Sequence, residues 1–360
     1  MKKNRTRNKR IILFFTVIVL SVTLGFSAFG QSSYDFIEGF QTPFQEFANV
    51  LAPALPYAST IGLQWSHAYI GQLINLPPHF GIGVSAGAVM LPIEGFNKVT
   101  ENFGVDIPQE LMFLGDLGIP FPAAVIDARI GGIILPFDLG FKIGLIPEPL
   151  KDQLGDEFTL DYLMVGGDLR VPLLKDKGFV PAISVGAGYT YFRGGVGIPG
   201  LLGSGIDLST TSTGYPSLDA ELQNLSFSDP ELTFNWESHV IDLKAQLSKN
   251  LFIITPYIGL GASYGISQAG GGLTSEVLYG VSPITDAQIQ DIYDAFSAAG
   301  LSAPQLSDQG LIVSSSANGF AFRAFGGTSI NIFFIKVDVS VMYNITSNSL
   351  GAQAGLRFQL

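Results

Sequence analysis

The chain has 360 residues, a formal net charge of −11, no cysteine, 47% apolar residues and only 14% charged ones. A mean hydropathy of +0.37 is high for a chain in water, where domains carry roughly 25% charged residues. No apolar run after residue 30 reaches the roughly 18 residues of a membrane helix, which leaves a closed β-barrel as the membrane solution. The missing cysteine also excludes disulfides, a thiol nucleophile and Cys-bound zinc.

Residues 1–30 read as a secretory leader. Lys2, Lys3, Arg5, Arg7, Lys9 and Arg10 precede an apolar run from Ile11 to Phe26, and Ser27-Ala28-Phe29-Gly30 places small residues ahead of a cut before Gln31. Cleavage removes six of the 19 basic residues and no acidic ones, leaving 13 against 30, a net of −17. That balance excludes nucleic acid as a partner.

Residues 31–58 form a second unit. Phe36, Phe40, Phe44, Phe47 and Leu51 recur at helical spacing, while Asp35, Glu38, Gln41, Gln45 and Glu46 fall mostly elsewhere on the wheel. Pro53 and Pro56 are expected to end this helix. It fits either a plug inside a barrel or a helix on its periplasmic rim.

From residue 59 to residue 360 the dominant period is 2, with apolar residues facing out and small or polar ones facing in. Ile61–Ile70 reads as a first, less regular strand. Regular alternation follows at Phe80–Met90, Ala124–Gly132, Leu139–Leu145, Leu163–Val171, Ile183–Tyr191, Ile241–Leu247, Ile254–Gly265, Phe320–Ala324, Ile335–Asn344 and Leu350–Leu360. Inward positions on three of these strands are stripped to Gly81, Gly83, Ser85 and Gly87; Ser184, Gly186 and Gly188; and Gly259, Gly261, Ser263 and Gly265. Space cleared in this way calls for an occupant, for which the aromatic helix is the nearest candidate.

Short connections at Gln72–Pro78, Ile134–Phe137, Leu173–Phe179, Ser248–Asn250 and Ile330–Phe333 suit the periplasm. Long ones at Ile93–Pro122, Pro147–Glu157, Gly194–Pro230 and Ser267–Asn318 suit the outside. Within the last, Thr285–Ala299 reads as a short amphipathic helix. The expected fold is therefore all-β, an antiparallel transmembrane barrel of about 12 strands, within a range of roughly 10–14. The pattern itself yields about eleven, an odd number, so a strand is missing or the helix crosses the lumen.

Four acid–base pairs sit two residues apart, hence on one face of their strands: Asp127/Arg129, Asp168/Arg170, Asp242/Lys244 and Lys336/Asp338. Facing lipid, each charge would cost roughly 2–4 kcal/mol near the midplane, so they are expected to line the lumen. In the barrel frame each acid lies nearer the outside, an order that Asp138 and Lys142 reverse. The belt suits a filter or a structural network, and could tie Glu38 or Glu46 of the plug to Arg129, Arg170 or Lys244.

No reactive constellation accompanies the strands. His67, His79 and His239 lie on separate segments, and no metal-ligand spacing occurs. No catalytic residue, metal or cofactor is expected. The loop carboxylates Asp219, Glu221, Asp229, Glu231, Asp286, Asp291 and Asp294 read as solvated.

The last eight residues, Gln353 to Leu360, place Gly355, Phe358 and Leu360 in the order polar-x-Gly-x-x-apolar-x-apolar. This resembles the C-terminal assembly signal of bacterial outer-membrane barrels, although it ends in Leu rather than an aromatic residue. The resemblance implies outer-membrane lipid and the barrel-assembly machinery as partners. The layout, a helical N-terminal segment before the strands, is also similar to that of fatty-acid-type outer-membrane transporters. It implies a passive channel or uptake barrel for small molecules, apolar ones included. The alternative is a non-conducting barrel that displays its long loops for structure or adhesion.

Overall fold

The structure, a computed structural model, describes residues 33–91, 118–146, 159–199 and 205–360. The expected leader and most of the connections Ile93–Pro122 and Pro147–Glu157 lie outside these residues.

Ten long strands form the wall. They are β1 (Phe80–Leu91), β2 (Ile119–Gly131), β3 (Asp138–Leu145), β4 (Thr159–Leu174), β5 (Ala182–Pro199), β7 (Leu225–Ser248), β8 (Ile254–Tyr279), β11 (Gly310–Ile332), β12 (Ile335–Asn344) and β13 (Ser349–Gln359). Each pairs antiparallel with the next along this list. The register Gly81↔Gln359 to Val89↔Gly351 joins β1 to β13 and closes the barrel. Three short strands, β6 (Gly205–Asp207), β9 (Ser282–Pro283) and β10 (Leu306–Ser307), decorate one end. The wall is thus ten strands rather than about twelve.

The even count follows from the fate of Ile61–Ile70, which is not a strand. An outer-face strand exposes alternate residues, whereas Ile61, Gly62, Leu63, Gln64, Trp65 and Ser66 are consecutively buried. This stretch lies inside the barrel, and the wall begins at Phe80.

Outward-facing apolar residues come from every wall strand: Val84, Ile126, Phe141, Val165, Val185, Ile241, Leu260, Phe322, Val341 and Leu356 are each exposed by 40% or more. A closed barrel with such an exterior is built for lipid. Three of the four tight turns at one end carry exposed Phe179, Phe252, Phe333 and Phe334, aromatics of the kind that anchor barrels at the interface. We call this the turn end and the opposite one the loop end.

The wall is lopsided. β7, β8 and β11 run for 24, 26 and 23 residues, whereas β12 and β13 run for 10 and 11. The flanks of the stretches Gly194–Pro230 and Ser267–Asn318, expected as long loops, are continuations of strands: β5 runs on to Pro199, β7 starts at Leu225, β8 runs on to Tyr279 and β11 starts at Gly310. The physical reason is a change of phase along each tall strand. On β7 the outward residues Ile241, Leu243 and Leu247 are apolar, but further up the same face carries His239, Glu237, Asn235 and Thr233. The apolar residues there point inward, as Trp236, Phe234 and Leu232 do. On β8 the outward Ile266 gives way to Gln268, and on β11 Phe320 gives way to Asn318. The strand continues while its solvent changes from lipid to water.

The tall extension encloses its own core of Phe227, Leu232, Leu273, Val277 and Leu311. Two short helices, α2 (Pro216–Leu222) and α3 (Asp286–Ala298), cover it with Leu218, Leu222, Ile292 and Phe296. Thr285 caps α3 in a capping box with Gln288.

A longer helix, α1 (Ser33–Ala58), packs chiefly on β8 and β11 from within. Its buried stripe is Phe44, Ala48, Leu51, Ala52 and Leu55, the spacing of one helical face. Contrary to the sequence expectation, α1 does not stop at Pro53 or Pro56. Each proline removes one backbone donor, and the burial of Ala52, Ala54, Leu55 and Ala58 among wall residues offsets that loss. Among the described residues no helix is long and apolar enough to cross a membrane.

Candidate functional site

Below α1, residues 59–70 form an irregular strap across the turn-end half of the lumen. An irregular chain in a barrel must find partners for its backbone groups, and the wall supplies them. Lys142 Nζ donates to the Ser59 and Ile61 carbonyls at 2.5 and 3.0 Å. Arg129 and Lys244 both donate to the Leu63 carbonyl at 3.3 Å. Tyr257 Oη donates to Gln64 O, Gln246 Nε2 to Trp65 O and Ser66 O, and Arg170 Nη1 to His67 O at 2.8 Å. Seven strap carbonyls are accounted for in this way.

The amides are met as well. Gly62 N donates to Gln353 Oε1, Leu63 N to Asp127 Oδ2, Ala68 N to Ser248 Oγ and Ile70 N to Asp138 Oδ2. Asp127 also accepts from Trp65 Nε1 at 3.0 Å and from Ser85 Oγ at 2.9 Å. The Trp65 ring lies between two guanidiniums, with Arg357 at 4.6 Å and Arg129 at 5.7 Å from its centroid. Gly81 makes room for it, since a Cβ there would stand 2.7 Å from the indole.

The eight residues of the sequence-predicted belt thus sit on the lumenal side, but they do not pair along their own strands. Side chains two apart on a strand project in parallel, whereas those on neighbouring strands converge across about 4.8 Å. Arg129 therefore bonds Asp138 of β3 at 2.5 Å and Asp168 of β4 at 3.0 Å. Arg170 grips Asp138 through Nε and Nη2 at 2.8 and 3.0 Å. Lys244 pairs with Asp168 at 2.5 Å, Asp242 with Arg323 at 2.6 Å, and Asp338 with Arg357 at 3.3 Å. Lys336 leaves the network; its Nζ donates to the Phe333 carbonyl at the turn, 3.2 Å away.

Asp138, which broke the sequence pattern, is the hub: fully buried, it is bonded to two arginines and to the strap. Arg323 and Arg357 were missed because each is a lone base with no acid two residues away. Their inward parity, between Phe322 and Ala324 and between Leu356 and Phe358, was the available signal. Among the described residues, the network and the strap contacts thus draw on six cations (Arg129, Lys142, Arg170, Lys244, Arg323 and Arg357) and five aspartates (127, 138, 168, 242 and 338).

The helix residues divide by height. Phe44 joins the loop-end core, the Phe47 ring meets Phe234 edge-on at 4.7 Å, and Leu51 is buried in the lumen. The side chains of Phe36, Phe40 and Glu38 lie outside the described residues. Wall aspartates and strap carbonyls bond Arg129, Arg170 and Lys244, and the Glu38 half of the expected tie from the helix lies outside the described side chains. The inward glycines are covered as well: Gly261 faces the Arg323 guanidinium and Gly265 faces Pro56.

In the C-terminal motif, Gly355 pairs with Ser85 and Asp338, Phe358 faces outward near Phe334, and Leu360 N donates to Phe80 O at 3.0 Å. Of the histidines, His67 lies in the strap, His79 precedes β1, and His239 bonds Tyr189 Oη at 2.7 Å on the outer face. Among the described residues no three His, Cys, Asp or Glu side chains are grouped to hold a metal ion.

No protein-family model matches the chain, and no curated protein matches it. Among solved structures it is similar to the N-terminal β-barrel domain of Pseudomonas aeruginosa OprF, at 10% identity and a TM-score of 0.24, over 56% of this chain and 93% of that one. It is similar to Ail, the attachment invasion locus protein of Yersinia pestis, at 8% identity and 0.25, over 78% and 97%. The translocator domain of the autotransporter NalP from Neisseria meningitidis gives 9% and 0.30, over 78% and 88%. These structures are outer-membrane barrels, but at such scores the reading of this chain rests on its own closed, apolar-sided wall.

Proposed function

We propose that the protein spans the bacterial outer membrane as a barrel closed by its own N-terminal segment. The turn end faces the periplasm and the tall loop end faces outward. In this reading the resting barrel does not conduct, and its role lies in presenting the extension made by β7, β8 and β11. The observation that carries it is the strap, whose seven carbonyls and four amides are bonded to the wall. Partnered buried polar groups hold a segment in place, because each such group left unpaired costs roughly 1–3 kcal/mol. Outer-membrane lipid and the barrel-assembly machinery are the partners that the apolar exterior and the C-terminal motif call for.

A second reading, a conduit for small polar solutes past the strap, is favoured by one observation. On the inner side of β12 and β13, Arg357 Nη1, Asp338 Oδ1 and Gln359 Oε1 are buried without a hydrogen-bond partner among the described residues. Planar-bilayer recording separates the two readings. A silent full-length barrel that conducts once residues 59–70 are replaced by a Gly/Ser linker supports the closed barrel. Steady conductance from the unaltered protein supports the conduit.

A further inference from the structure

The path of the chain before β1 has a direction. At its start, Gln41 exchanges two hydrogen bonds with the backbone of Gln305, in the connection between α3 and β10 at the loop end. Phe44 then enters the loop-end core, and Gln45 Nε2 donates to the Ser314 carbonyl high on β11. Leu51 and Leu55 are buried lower in the lumen, and the strap crosses the charged belt. Finally Gln72 Nε2 donates to Ile134 O and Leu73 N to Gly132 O, both in the β2–β3 turn. Only there does β1 begin.

The chain therefore passes through the barrel once, from the loop end to the turn end. Given the membrane orientation proposed above, on which this step rests, we infer that the protein carries its own amino-terminal end to the cell surface. A chain delivered to the periplasm could enter β1 directly at the turn end, so the observed route requires that the N-terminal segment be moved outward. It must move before the seam closes. The strap is fully buried between Ile61 and Ser66, and Trp65 is clasped by two arginines, so the segment cannot be drawn through a finished barrel. The β1–β13 pairing then locks around a segment already in transit. A further activity follows: a segment joined ahead of Ser33 is displayed outside without any passage through a separate channel.

The absence of native cysteine allows a direct test. Single substitutions T42C, S302C and K177C, all at exposed positions, are probed with a membrane-impermeant maleimide on intact and permeabilised cells. Only the heat-modifiable, folded band is scored. The expected result is full labelling of T42C and S302C on intact cells, with K177C labelled only after permeabilisation. Labelling of S302C with protection of T42C would overturn the inference and leave the membrane orientation standing. Labelling of K177C with protection of S302C would overturn the orientation, and with it the surface location of the N-terminus. An epitope inserted between Ser32 and Ser33 gives an independent reading, since antibody binding to intact cells is required.

Discussion

Replacing Asp138 with Asn removes the hub of the lumenal network without changing its shape. In the parent, the Asp138 carboxylate accepts from Arg129 at 2.5 Å, from Arg170 at 2.8 and 3.0 Å, and from the Ile70 amide at 3.3 Å. Arg129 would keep Asp168, but Arg170 would be left with the His67 carbonyl and, in place of a bidentate carboxylate, a single neutral amide oxygen. Losing one partner of a buried pair costs roughly 3–5 kcal/mol, which is about two to three and a half powers of ten in an equilibrium. That loss falls on the strap, which both the aspartate and Arg170 hold. The assay uses W236F as parent, leaving Trp65 as the sole tryptophan of an original two. Trp65 is 2% exposed, so its emission reports strap release, and urea titration in detergent gives the midpoint. D138N should lower the midpoint and shift the emission to the red at denaturant levels the parent resists. The double variant D138N/R170M removes both charges and should recover most of the loss, because the cation that Asp138 compensated is removed with it. An unchanged midpoint in D138N, or a double variant as unstable as the two single losses combined, would refute the reasoning.

Three further outcomes are expected. G261L places a side chain where even a Cβ would stand 2.6 Å from the Arg323 guanidinium; it should dislodge Arg323 from Asp242 and cost about 1–3 kcal/mol in unfolding titrations. W65F removes the indole donor to Asp127 and should destabilise by roughly 1–3 kcal/mol, with faster amide exchange confined to residues 59–70. T285A removes the cap of α3 and should cost about 1 kcal/mol, visible as faster exchange in Asp286–Ala298 with the heat-modifiable gel shift unchanged.

The lipid-facing half of the barrel was legible because alternation there has a single sense, as in Ile241, Leu243 and Leu247 against Asp242, Lys244 and Gln246. Above the membrane the same strand inverts, with Trp236 and Leu232 inward and Glu237 and Thr233 outward. A reader following apolar residues loses the strand at that point. The charges of the belt were legible as inward-facing, since lipid forbids the alternative. Their partners were not, because strand pairing decides which residues converge, and no spacing in one strand reveals that Asp138 will meet Arg170. The strap was illegible for another reason. It is specified by donors elsewhere, and its own residues, from Ile61 to Ile70, imitate a strand.

That last property shifts where substitutions are tolerated over evolutionary time. Most of the wall's bonds to residues 59–67 end on carbonyl oxygens, which every amino acid carries. Positions such as Leu63 and Gln64 are therefore free to drift so long as the chain keeps its course and bulk. The burden of constancy falls on Arg129, Arg170, Lys142 and Gln246, residues far apart in sequence that must change together or not at all. Among diverged descendants of this barrel, the inner wall should be preserved while the segment it encloses varies.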